Sequence, residues 1–83
     1  MQAAPGGQFA IQIAALSASE PATVLERQLK AAGLPAYVLP PDSEDAPYRV
    51  RVGPFSTRAA ASKVAASLEK KRGEKLWVLN EKR

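Results

Sequence analysis

Large apolar residues occupy every second position in two short stretches of the chain, Phe9, Ile11 and Ile13 in one and Tyr48, Val50 and Val52 in the other. Such alternation buries one side of an extended chain and predicts a half-buried strand in each place. Gly53-Pro54 is expected to break the second. Each strand leads into a serine-containing turn and then into apolar residues at helical spacing: Ala22, Leu25, Leu29 and Ala32 after the first, Ala61, Val64, Ala65 and Leu68 after the second. Ser17 with Glu20 fits a capping box, but Pro21 belongs in the first helical turn and favours Ser19 as the cap. Ser56 or Thr57 is expected to cap the second helix. Lys70, Lys71 and Arg72 crowd its last turn, where cations complement the helix dipole. Gly33 and Gly73 stand where a helix ends in a left-handed residue. Residues 36–39 and 76–79 read as two further short strands. Pro40 to Pro47, with Asp42, Glu44 and Asp45, reads as a polar loop.

The two halves repeat one another. At a constant spacing Phe9 matches Tyr48, Ile11 matches Val50, Ile13 matches Val52 and Leu16 matches Phe55. One inserted residue later, Gly33 matches Gly73, Tyr37 matches Trp77 and Leu39 matches Leu79. Each half therefore carries the same local structure, and the element order is βαββαβ. Two split βαβ units predict an α+β, ferredoxin-like domain: a four-stranded antiparallel sheet with two helices on one face. The strands starting near residues 9 and 48 should be central. The second face of the sheet has no helix to cover it.

Strand parity assigns the faces. Phe9, Ile11, Ile13, Ala36, Val38, Val50, Val52, Leu76 and Val78 should point at the helices. The open face then collects Ala10, Gln12, Ala14, Tyr37, Leu39, Arg49, Arg51, Trp77 and Leu79. Two aromatics on edge strands, two arginines and an amide between them, and small alanines at the centre describe a shallow groove with stacking walls. The candidate ligand-binding residues are Gln12, Ala14, Tyr37, Arg49, Arg51 and Trp77. Each has an ordinary structural reading too: Trp77 as cover for a core edge, Tyr37 as a good strand former, the arginines as a solvated strand face. A slip of one residue in any strand would reverse its assignment.

Composition narrows the chemistry. With 83 residues the chain is one domain with a small core. It has no Cys, hence no disulfide, and no His, which removes the commonest general base and metal ligand. No metal or cofactor is expected. The net charge of +4 suits either solubility or an anionic partner. No apolar run approaches the roughly 20 residues needed to span a bilayer, and no secretory signal is seen. Residues 1–7 read as a linker or expression remnant, 8–80 as the domain and 81–83 as a C-terminal tail. A monomer without direct membrane insertion is expected.

The segment Phe-Ala-Ile-Gln-Ile-Ala-Ala-Leu (9–16), the later Ala-Ala-Gly-Leu-Pro-Ala-Tyr-Val (31–38) and, most specifically, Tyr-Arg-Val-Arg-Val-Gly-Pro-Phe-Ser (48–56) resemble the SPOR family across roughly residues 8–80. The resemblance implies a non-catalytic module of the bacterial periplasm or cell envelope. It implies binding of peptidoglycan glycan strands stripped of their stem peptides, and enrichment at the division septum. It also implies a site on the sheet surface, with Gln12 on the first strand and an aromatic, Trp77, on the last. Ala14 and Ala15 stand where the family often has Gly-Ser or Ser-Ser, so a hydroxyl contact is missing there. An RRM-like single-stranded nucleic-acid binder is the alternative, but that signature puts aromatics on the central strands, and no nucleic-acid partner is expected. A small hydrolase would need an acid–base pair on the open face, and none converges there.

Overall fold

The computed structural model describes residues 7–81. Of the expected linker at 1–7 and tail at 81–83, residues 1–6 and 82–83 lie outside the described residues. The elements are β1 (Phe9–Leu16), α1 (Ser19–Ala31), β2 (Ala36–Leu39), β3 (Tyr48–Phe55), α2 (Arg58–Arg72) and β4 (Trp77–Asn80). They form one antiparallel sheet in the order β2-β3-β1-β4, the ferredoxin-like α+β arrangement expected from the repeat. The core lies between sheet and helices. Ile11, Ile13, Val50 and Val52 from the central strands meet Ala22 and Leu29 of α1 and Ala61, Val64 and Leu68 of α2. Alanine at 22 and 61 lets each helix approach the sheet closely, and both are fully buried.

The helix ends follow local chemistry, with one departure. Thr57 caps α2, its hydroxyl accepting from the Ala60 amide at 3.1 Å. Gly33 and Gly73 take positive φ, 86° and 72°, and the Gly73 amide donates to the Glu69 carbonyl at 2.8 Å. The N-cap of α1, however, is Ala18, with no side-chain cap. Ser19 is the first helical residue rather than the cap, and its carbonyl accepts from Thr23 Oγ1 at 3.0 Å. Pro21 still falls in the first turn, where its missing amide proton costs nothing.

Parity holds along most of each central strand and then switches. On β1, Gln12 pairs with Arg51 but Ala14 pairs with Val50, so Ile13 and Ala14 together oppose one residue. On β3, Phe9 pairs with Phe55 and Ile11 with Val52, so Gly53 and Pro54 together oppose Ala10. These are β-bulges, each adding one residue and reversing the faces beyond it. They fall in matching intervals of the two halves, between Ile13 and Leu16 and between Val52 and Phe55, and they return Leu16 and Phe55 to the core side. Gly53-Pro54 thus kinks β3 rather than ending it. Gly53 has φ 146°, and a Cβ there would lie 3.1 Å from the Phe9 carbonyl oxygen and 3.3 Å from Ala10 Cβ. Only glycine fits this close approach.

Candidate functional site

The open face is organised by register. Tyr37 pairs with Arg51, Arg51 with Gln12, and Gln12 with Trp77, so one straight row crosses all four strands. With strands roughly 4.8 Å apart, the row runs about 14 Å from aromatic to aromatic. It has the pseudo-twofold symmetry of the repeat. Gln12 and Arg51 are equivalent and face each other at its centre, while Tyr37 and Trp77 are equivalent and stand at its ends.

A second row lies beside it, with Leu39 opposite Arg49 and Arg49 opposite Ala15. Here the structure corrects the parity reading. The β1 bulge pairs Ala14 with Val50, a core residue, and gives the open-face place opposite Arg49 to Ala15. Ala15 is exposed while Ala14 is half-buried. Five of the six candidate residues (Gln12, Tyr37, Arg49, Arg51 and Trp77) are thereby brought onto one surface, and Ala14 is not.

The symmetry is broken by Glu81, which the sequence reading left in a tail. Its amide donates to the Gln8 carbonyl at 2.5 Å, continuing the β1–β4 ladder by one residue. Its carboxylate accepts from the Tyr37 hydroxyl at 2.7 and 2.8 Å and from Arg51 Nη1 at 2.6 Å. Arg51 Nε also donates to Gln12 Oε1 at 3.3 Å. The bridge runs from the end of β4 across β1 to β3 and β2, and the intervening β1 residue, Ala10, is small and fully buried. Burial, reinforced by the hydrogen bond and negative charge of Glu81, pushes the Tyr37 phenol well above its ordinary range. Tyr37 is therefore a neutral donor held in place, and its ring forms one wall of a depression of about 660 Å³ with Leu39, Pro54, Leu79 and Glu81.

The opposite end stays open. Trp77 is 63% exposed, the most exposed large apolar side chain among the described residues, and the Lys75 ammonium lies 5.3 Å from its ring. Arg49 has neither a hydrogen bond nor an ion pair with any described residue, whereas the Arg51 side chain is only 16% exposed and is already paired. The two arginines, indistinguishable in sequence, are chemically different: Arg51 is held by Glu81 and Gln12, and Arg49 is held by no described residue. Among the described residues no group of three or more His, Cys, Asp or Glu could hold a metal ion. No helix among them is long and apolar enough to cross a membrane.

A sheet surface with an exposed indole, a fixed phenol donor, an amide and a guanidinium unpaired among the described residues offers flat apolar faces and hydrogen-bonding groups to a polyhydroxylated or anionic chain. No curated protein and no solved structure matches this chain. The family model of the SPOR domain matches residues 5–80, nearly the whole chain. SPOR domains bind peptidoglycan, are not catalysts, and work in the periplasmic envelope, where they localise to the division septum. The chain, with its βαββαβ order, internal repeat and open sheet face, belongs to the SPOR family of peptidoglycan-binding domains.

Proposed function

We propose that the open sheet face binds peptidoglycan glycan strands from which the stem peptides have been removed, and so carries an envelope protein to the septum. The observation that carries this reading is the difference between the two arginines. While a stem peptide is attached, the lactyl group of the muramic sugar is an amide and neutral. Once the peptide is removed, it is a free carboxylate. Arg49, lacking a partner among the described residues, supplies a charge-assisted and bidentate match for that group.

The other residues take the sugar chain. Trp77 gives its exposed face to a sugar ring, and Gln12, at the centre of the row, hydrogen-bonds hydroxyl or acetamido groups. Tyr37, Arg51 and Glu81 form a pre-organised end wall whose geometry needs no ordering on binding. Ala10 and Ala15 on the central strand β1 keep the floor low, so a strand can lie flat and a stem peptide at the same place would clash.

Isothermal titration with peptide-free and peptide-bearing strands tests this. Peptide-free strands should bind at least tenfold more tightly, and Arg49→Ala should remove most of that difference together with much of the salt dependence. Equal affinity of the two strands, or an Arg49→Ala domain that still discriminates, would refute the carboxylate reading.

A further inference from the structure

The side of the molecule away from the sheet carries a second feature that glycan binding does not use. The whole net charge of the chain resides on α2. Arg58, Lys63, Lys70, Lys71 and Arg72 against Glu69 give this helix +4, and the remaining seven cations and seven anions of the chain cancel. Little of that charge is neutralised internally. Glu69 accepts from the Leu76 amide at 2.8 Å, and Arg72 pairs with Glu74 at 2.9 Å. Arg58 lies 5.2 Å above the Phe9 ring. Lys63 and Lys71 are exposed and have no partner among the described residues.

These two lysines flank an apolar trough. Among the described residues no Cα of α1 comes within 8 Å of one in α2; the backbone of each helix lies against the sheet and apart from the other helix. The gap between them measures about 710 Å³. One wall is a single face of α2, in which Ala60, Lys63, Val64, Ser67, Leu68 and Lys71 recur at helical spacing. The floor and far wall come from Phe55, Leu29 and Leu34. From Ala60 to Lys71 the trough runs roughly 16 Å, at 1.5 Å per residue, or three turns of a partner helix.

We infer that this trough is a docking site for an acidic amphipathic helix of a partner protein, whose apolar residues enter the gap while its carboxylates meet Lys63 and Lys71, with Arg72 at the same end. The shape favours a protein helix over a lipid surface. The apolar lining is recessed, with Phe55, Leu29, Val64 and Leu68 each under a tenth exposed. A membrane-inserting face instead projects its apolar side chains. A recessed lining receives side chains, as in helix-in-groove recognition. The single-signed rim fixes the charge of the occupant and speeds its encounter.

The test uses the whole chain and a helix-stapled peptide of about 15 residues, with Leu at i, i+3, i+4 and i+7 and Glu elsewhere. A Lys-for-Glu counterpart and vesicles of phosphatidylglycerol and phosphatidylethanolamine serve as parallel arms. The acidic peptide should bind, should shift amides of α2 and of Leu29 and Leu34, and should weaken as salt rises. The double substitution Lys63→Glu/Lys71→Glu should weaken it at least tenfold. Ser67→Trp, which fills the trough without changing charge, should abolish it. Both variants should keep the wild-type circular dichroism and glycan affinity. Failure of the acidic peptide to bind, equal binding of the basic peptide, or binding only to anionic vesicles would each overturn the inference and leave the glycan reading of the opposite face intact.

Discussion

Replacing Glu81 with alanine should weaken the domain and alter its site at the same time, although the residue lies at the end of the last strand. The substitution removes the only acceptor of the Tyr37 hydroxyl among the described residues and the anionic partner of Arg51. The Arg51 and Glu81 side chains are 16% and 24% exposed, so the pair is neither a solvated surface bridge nor a fully buried one. Exposed pairs contribute about 0–1 kcal/mol and breaking buried pairs costs about 3–5 kcal/mol. A value of about 2 kcal/mol follows for Glu81→Ala, including the hydroxyl left without an acceptor. In a domain of this size that lowers Tm by about 8–16 °C. Urea unfolding measures it directly, with the m-value unchanged. Glu81→Gln, which keeps an acceptor for Tyr37 but loses the charge, should fall between. A Tyr37→Phe/Glu81→Ala double-mutant cycle should give a coupling of about 1 kcal/mol. A loss under 0.5 kcal/mol, or a coupling near zero, would show that the bridge does not hold the end wall.

Three further outcomes follow from other parts of the fold. Gly53→Ala should cost about 1–3 kcal/mol in urea unfolding, because φ 146° is strained for alanine and its Cβ would press on the Phe9 carbonyl at 3.1 Å. Thr57→Ala should cost about 1 kcal/mol by losing the cap on the Ala60 amide, whereas Ser19→Ala should cost little, since Ser19 caps nothing. Ultraviolet titration of the phenols should show Tyr37 still protonated above the ordinary tyrosine value of about 10. Its folded pKa is raised, so the neutral form stabilises the fold fully below pH 10. That stability is lost as pH rises beyond it, because the unfolded chain gives up the proton first. Glu81→Gln should move the titration back toward the ordinary value.

Much of this architecture is legible in the residues because local and global signals agree. The repeat gave the element order, and alternation gave the core faces of β2, β4 and the first halves of β1 and β3. What parity alone missed was the pair of bulges. The signal was present: the apolar series runs 9, 11, 13 and then 16, and 48, 50, 52 and then 55, a step of three in both halves. A step of three in an otherwise alternating strand marks one inserted residue. Taken that way, it moves Ala14 off the open face and puts Ala15 there. Glu81 was legible in the same manner, since Trp77, Leu79 and Glu81 alternate onto one face. That Arg51 is paired, and Arg49 is not among the described residues, depends on how far Glu81 reaches across the sheet, a tertiary fact with no local signature. The cap of α1 failed for a different reason: Ser19 has the right chemistry, but the helix begins one residue earlier than its favoured cap allows.

The central claim is that the Tyr37–Arg51–Gln12–Trp77 row and its neighbour Arg49 are where glycan binds. The most direct measurement is a titration of the isotopically labelled domain with purified peptide-free glycan strands, following backbone amides, arginine side chains and the Trp77 indole by NMR, alongside Trp77→Ala. Shifts confined to the open sheet face are expected. Trp77→Ala should lose at least tenfold in affinity with stability changed by less than about 0.5 kcal/mol, as suits a residue 63% exposed. Shifts confined to α1 and α2, or unchanged affinity in Trp77→Ala, would contradict the claim.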